Sequence, residues 1–173
     1  MIDWELDALT MGVLSLALIY EEAGMQLSKH FNLREFTRSQ TAARRDIPNV
    51  PGKAETAALK LLCEKVLEPI REQFGPVMIS SGYRSPRLNA AIGSGPMSQH
   101  TKGQAADFEV PGVSNYEVAR WVQRNLAFDQ LILEMWKKGD PNAGWIHVSF
   151  REPNRNQVLT YDGRGYSTGL RAA

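Results

Sequence analysis

Two histidines and an aspartate, His100, Asp107 and His147, have the types and spacing of a metal site. The stretch Ser98-Gln99-His100-Thr101-Lys102-Gly103-Gln104-Ala105-Ala106-Asp107 sets an imidazole and a carboxylate on either side of a glycine-containing turn. A second imidazole follows on a predicted strand in Gly144-Trp145-Ile146-His147-Val148-Ser149. Two nitrogens and one oxygen suit a single zinc ion with an open fourth position, the arrangement zinc hydrolases use to activate water. The chemistry expected of these residues is hydrolysis. The remaining histidine, His30, lies in a polar stretch without a motif and is left out of the site.

The elements that must carry these residues are strands. Ala105 to Val110 reads as one, with Asp107 near its start; Gln130 to Trp136 and Gly144 to Phe150 read as a hairpin around a polar loop, Lys137 to Ala143. Alternation along a strand puts Trp145, His147 and Ser149 on one face with Ile132, Glu134 and Trp136, and leaves Leu131, Leu133, Ile146, Val148 and Phe150 on the other. Symmetric pairing about the loop sets Trp136 opposite Trp145 and Glu134 opposite His147, with Cβ atoms roughly 4.5 to 5.5 Å apart. Glu134 then becomes the candidate general base, taking a proton from the attacking water and returning it to the leaving amine. Its bland alternative is a surface glutamate paired with Lys137 or Lys138, which the apolar neighbours disfavour. Arg84 stands where a predicted strand, Val77 to Ser81, turns outward, placed to clamp a substrate carboxylate or an oxyanion, or else to serve as a turn arginine. Ser98 binds substrate or caps its loop, and Trp145, on the His147 face, joins the substrate-binding candidates.

Around these strands the sequence predicts helices. Leu59, Leu62, Val66 and Ile70 recur at helical steps between Ala54 and Phe74, with Pro69 expected to kink or interrupt the helix. Asn32 to Phe36 opens a short helix, Arg87 to Ile92 suits another, and Ser114 with Glu117 forms a capping box for a helix through Leu126. The expected fold is α+β: a small antiparallel sheet carrying the metal site on one face, with helices packed on the other. Met25 reads like a second beginning, so residues 1–24 are taken as an N-terminal extension and 25–160 as the domain. Residues 161–173, polar and glycine-rich, are expected to form a loose tail.

Composition narrows the function classes. Twenty Lys and Arg against nineteen Asp and Glu give a net charge of +1, so no global field draws the chain to nucleic acid. The cluster Arg34, Arg38, Arg44 and Arg45 is diluted by Glu35 and Asp46 and has no aromatic ladder. The apolar run Leu9 to Tyr20 is too short to span a bilayer, and acidic residues precede it where a signal peptide carries positive charge. Stable membrane insertion is therefore not expected, and the chain is read as a monomer. The single cysteine, Cys63, falls on the buried face of the long helix and is read as a core residue.

Four motifs in order resemble one family. Ser80-Ser81-Gly82-Tyr83-Arg84-Ser85, Ser98-Gln99-His100 with Gly103, Ala105 and Asp107, Phe128 to Glu134, and Trp145-Ile146-His147-Val148-Ser149 are similar to the M15 peptidases, the zinc D-Ala-D-Ala carboxypeptidases and related peptidoglycan endopeptidases. The likeness covers roughly Leu27 to Gln157 and looks closest to short phage and prophage members. It implies a hedgehog/D-Ala-D-Ala peptidase-like fold, one Zn2+ held by His100, Asp107 and His147, a catalytic-site Arg84, and a cell-wall peptide substrate. Action on the wall after holin-dependent release is what the phage likeness implies for location. The best-studied branches carry their glutamate three residues before the last histidine; this chain has Gly144 there, which moves the expected base to Glu134. A non-catalytic zinc module that binds cell wall, or a phage structural component, is the alternative.

Overall fold

The computed structural model describes residues 24–172. The expected extension over residues 1–24, Gly24 apart, lies outside the described residues. Helix α1 (Leu33–Thr37) opens on a capping box, in which the Asn32 side chain accepts from the Glu35 N–H and the Glu35 carboxylate accepts from the Asn32 N–H. Helix α2 (Gln40–Arg44) follows. The long predicted helix is present as α3 (Lys53–Leu62), a wide π turn (Cys63–Leu67) and α4 (Glu68–Phe74). Proline lacks an N–H and its ring crowds the carbonyl four residues back, and the π turn just before Pro69 makes room for it. The helix widens where a kink or interruption was expected. Leu59, Leu62, Cys63, Val66 and Ile70 are fully buried along it, and each large aliphatic contributes about 1.5–3 kcal/mol by leaving water. Burial pushes the Cys63 thiol up, in keeping with a core residue.

Helix α5 (Pro86–Ala91) sits in a smaller separate cluster, with Leu88 and Ala91 packed against Ala42 and Ile47, while helix α6 (Asn115–Asn125) completes this layer. At α6 only the Ser114 half of the expected capping box forms, its hydroxyl accepting from the Glu117 N–H. Val118, Ala119 and Val122 bury the inner face of α6 against the sheet, and Trp121 meets Phe74 of α4 edge to face at 5.5 Å.

Among the described residues six strands form one sheet: β1 (Met78–Ser81), β2 (Ala105–Glu109), β3 (Gln130–Glu134), β4 (Trp145–Ser149), β5 (Gln157–Tyr161) and β6 (Tyr166–Thr168). Their order is β1-β2-β4-β3-β5-β6. The sheet is mixed, where an antiparallel one was expected, because β3 and β5 run parallel. No crossover helix is needed. Strand β4 returns to the end at which β3 began, so a short connection passes that end and starts β5 on the far side of β3. Ala106, Phe108, Leu131, Leu133, Ile146 and Val148 point into the helical core, and the alternate residues, Asp107, Ile132, Glu134, Trp145 and His147, form the opposite face.

Two further expectations need correction. Within the segment expected to be a loose tail, residues 161–173, Tyr166–Thr168 form β6, which pairs antiparallel with β5; Tyr161 stacks on Tyr166 at 4.6 Å, and the Gly169 N–H reaches the Val158 carbonyl. The hairpin register also differs by two residues, with Glu134 opposite Trp145 and Ile132 opposite His147. Met135 leaves the strand with φ 54°, and the Trp136 N–H turns away to the Tyr161 carbonyl of β5. Pairing with β4 therefore ends at Glu134, and Trp136 does not face Trp145. A shift of two preserves the faces, so Glu134 stays on the side of His147.

Candidate metal centre

His100 is delivered by a one-turn 3-10 helix, Gln99–Lys102, that closes on Gly103 in the left-handed region at φ 66°. A Cβ on Gly103 would run into the Glu55 carbonyl oxygen, so glycine both ends the turn and lets it press on α3. The His100 Nδ1–H donates to the Gly82 carbonyl at 2.6 Å, which fixes the tautomer and turns Nε2 inward. Asp107 and His147 are directly paired residues of β2 and β4. His147 Nδ1 lies 2.8 Å from Asp107 Oδ1, and His100 Nε2 lies 3.3 Å from both Asp107 Oδ1 and His147 Nδ1. All three residues are buried, and one donor atom from each falls within 4.8 Å of the others.

Arg84 completes the group from outside. Its Nη2 donates to Asp107 Oδ2 at 2.6 Å and its Nε to Ser81 Oγ at 2.9 Å, which leaves Oδ1 turned toward the imidazoles. Burial opposes ionisation of Asp107, but the charge and hydrogen bonds of His100 and His147 outweigh it and hold the carboxyl well below the usual carboxylate range. Burial also lowers the His100 pKa, against the pull of Asp107. An ionised carboxylate and a neutral imidazole are the protonation states a metal requires. A two-nitrogen, one-oxygen donor set whose first imidazole is anchored by a backbone carbonyl fits a single zinc ion.

The cluster floors an open cleft of about 500 Å³. Glu134, Ser98, Trp145 and Arg84 all line it, so every residue expected at the site is brought to one place. Glu134 sits diagonally from His147 across the hairpin, a separation of roughly 7–8 Å between backbones that leaves room for a substrate group between them. Burial raises the Glu134 pKa, partly offset by His147. Gly144, the position of the usual family glutamate, has φ 67°, and a Cβ there would run into the carbonyl oxygen of Glu134 itself. The glycine lets the hairpin close tightly against the residue that carries the candidate base. His30 stands apart, its Nδ1 2.7 Å from Glu68 Oε2.

Several cleft residues escaped the sequence reading. Tyr166 lies on β6, within the segment read as tail, and Arg155 and Gln130 line the far wall with Gln99. Asp129, fully buried, binds Arg155, Arg151 and Gln99. A charge set between Phe128 and an apolar strand was the available signal, since a buried carboxylate demands cationic partners.

An α+β fold whose sheet floors an open cleft with two imidazoles and a carboxylate defines a class of protein able to hold one catalytic metal. A family model described as Peptidase M15 matches residues 29–149, most of the chain, and the protein belongs to that family. Membership makes it a peptidase, a hydrolase of peptide bonds, in a family that is generally zinc-dependent. No curated protein matches the chain.

Proposed function

We propose that the protein is a zinc-dependent peptidase that hydrolyses D-amino-acid-containing peptides of the bacterial cell wall, with zinc held by His100, Asp107 and His147. The observation that carries this reading is the convergence of that buried cluster with Glu134 on one open cleft. Zinc bound there supplies Lewis-acid polarisation of a peptide carbonyl and acidifies water. Glu134, half-buried and with a raised pKa, takes the proton from attacking water and passes it to the leaving nitrogen. Arg84 orients Asp107 and places positive charge beside the cleft, where negative charge develops on the carbonyl oxygen. Ser98 and Trp145 position the peptide along the walls. The protein acts as a monomer on the wall, in the manner of phage lysis enzymes released through a holin.

Gly144, in place of the family's usual glutamate, is the sequence feature on which the alternative of a non-catalytic zinc module rests. The backbone at that position accounts for the glycine, so that feature no longer favours it. Incubation of zinc-loaded protein with purified peptidoglycan from several wall types, followed by mass spectrometry, tests the proposal. Released peptide fragments are expected; intact wall in every case supports the binding module.

A further inference from the structure

The cleft holds a second guanidinium, and nothing in the proposed chemistry uses it. Arg155 lines the cleft with its side chain 45% exposed, while Asp129 behind it is fully buried. Asp129 accepts from Arg155 Nε at 3.0 Å on both oxygens, from Nη2 at 2.6 Å and from the Arg155 backbone N–H at 3.1 Å. Arg151 Nε and Gln99 Nε2, each at 2.9 Å, complete the shell. One edge of the guanidinium is thus fixed, and its Nη1 takes no part in these bonds. A long flexible side chain held this way has lost its rotamer freedom before any ligand arrives. One carboxylate also faces two guanidiniums, so the Asp129 group carries an excess positive charge, with Arg155 as its member in the cleft.

Arg84 is fixed in the same way, through Nε to Ser81 and Nη2 to Asp107, but it stands at the metal cluster, so Arg155 is the guanidinium held at the other end of the cleft. The placement of Arg155 relative to the cluster follows from β3. Gln130, Ile132 and Glu134 line the cleft in succession, Ile132 is level with His147, and Asp129 and Arg155 belong to the Gln130 end. Two residues of strand rise roughly 6.6–6.8 Å, about the span of two residues of extended peptide.

We infer that Arg155, fixed by Asp129, is a carboxylate-binding subsite that selects peptides bearing a free carboxylate about two residues from the bond to be cut. The inference rests on the reading of this cleft as the peptide-binding site, and it deepens that reading by naming a feature of the substrate. The carboxylate comes from a chain terminus or from an acidic side chain, and both are covered by the test.

Calorimetric titration of the zinc-loaded protein tests it with two pairs of acetylated D-Ala-containing peptides. One pair has a free or amidated C-terminus, and the other has Glu or Gln at an internal position. Wild type is expected to bind the carboxylate member of at least one pair about ten- to a hundredfold more tightly, the worth of a charge-assisted hydrogen bond. Arg155→Gln abolishes that preference and Arg155→Lys keeps part of it. The double variant Asp129→Asn/Arg155→Gln removes both charges together and leaves no unpaired buried carboxylate, so it separates loss of preference from loss of folding. Equal binding of both members of each pair by wild type, no measurable binding of any member, or an unchanged preference in the double variant overturns the inference. Chromatography of the same mixtures reads hydrolysis separately: uncut peptides with an Arg155-dependent preference count against the peptidase reading alone, and cut peptides without one count against the subsite alone.

Discussion

His100 is the residue whose removal isolates the metal site most cleanly, since its ring is held through Nδ1 by a backbone carbonyl and not by another ligand. His100→Ala is expected to drop zinc from about one ion per chain to a small fraction of that after dialysis, read by elemental analysis; full retention removes the ligand assignment. Glu134 makes a prediction about pH. A general base acts only when ionised, so activity rises as pH passes its pKa, and burial has moved that pKa above the ordinary glutamate value of about 4.3. The acid limb of kcat/KM is therefore expected above that of an exposed glutamate, and Glu134→Gln is expected to abolish the limb. An identical limb in the variant assigns it to another group. The triad was legible at this scale because histidine is scarce here and each ligand sits in a distinctive local pattern. Arg155 was not, because its meaning comes from Asp129, distant in sequence and hidden inside the fold.

At the scale of the element, the β3–β4 hairpin decides whether Glu134 reaches the cleft. Its faces could be read from alternation, but its register could not, because the loop is not symmetric: Met135 and Gly144 both adopt positive φ, and Trp136 bonds to β5. Long-range pairing also explains the misread tail, since β6 is only three residues long and depends on β5 for an edge to join, as β5 depends on β3. Gly144→Ala is expected to destabilise the protein by about 1–3 kcal/mol from backbone conformation alone, with more from the contact with Glu134. Gly165→Ala, where open space surrounds the position, serves as the control and is expected to stay within about 0.5 kcal/mol. Equal melting temperatures for the two variants contradict the role given to Gly144.

Across the whole molecule, helices cover one face of the sheet and the chemistry occupies the other, a division already visible in the apolar alternation of β2, β3 and β4. Glu68 ties the entry of the described chain to the helical layer, accepting from the Ser28 hydroxyl at 2.6 Å and the His30 N–H at 2.7 Å. Burial works against its ionisation, but these bonds prevail and hold its carboxyl below the usual value. A carboxyl with a lowered folded pKa contributes stability that is present above the unfolded value of about 4.3 and lost as pH falls through the folded one. Glu68→Gln is accordingly expected to lower the melting temperature at neutral pH and to flatten its decline in acid; parallel curves for wild type and variant contradict the assignment. The central claim, that a zinc cluster and a glutamate across the hairpin act together on peptide bonds, is met most directly by the turnover of a cell-wall peptide. Wild type and Glu134→Gln, each verified to hold one zinc per chain, are compared on the same peptide. A fall in kcat of about 10²- to 10⁴-fold with zinc retained is the predicted result, and equal turnover by the two proteins would contradict it.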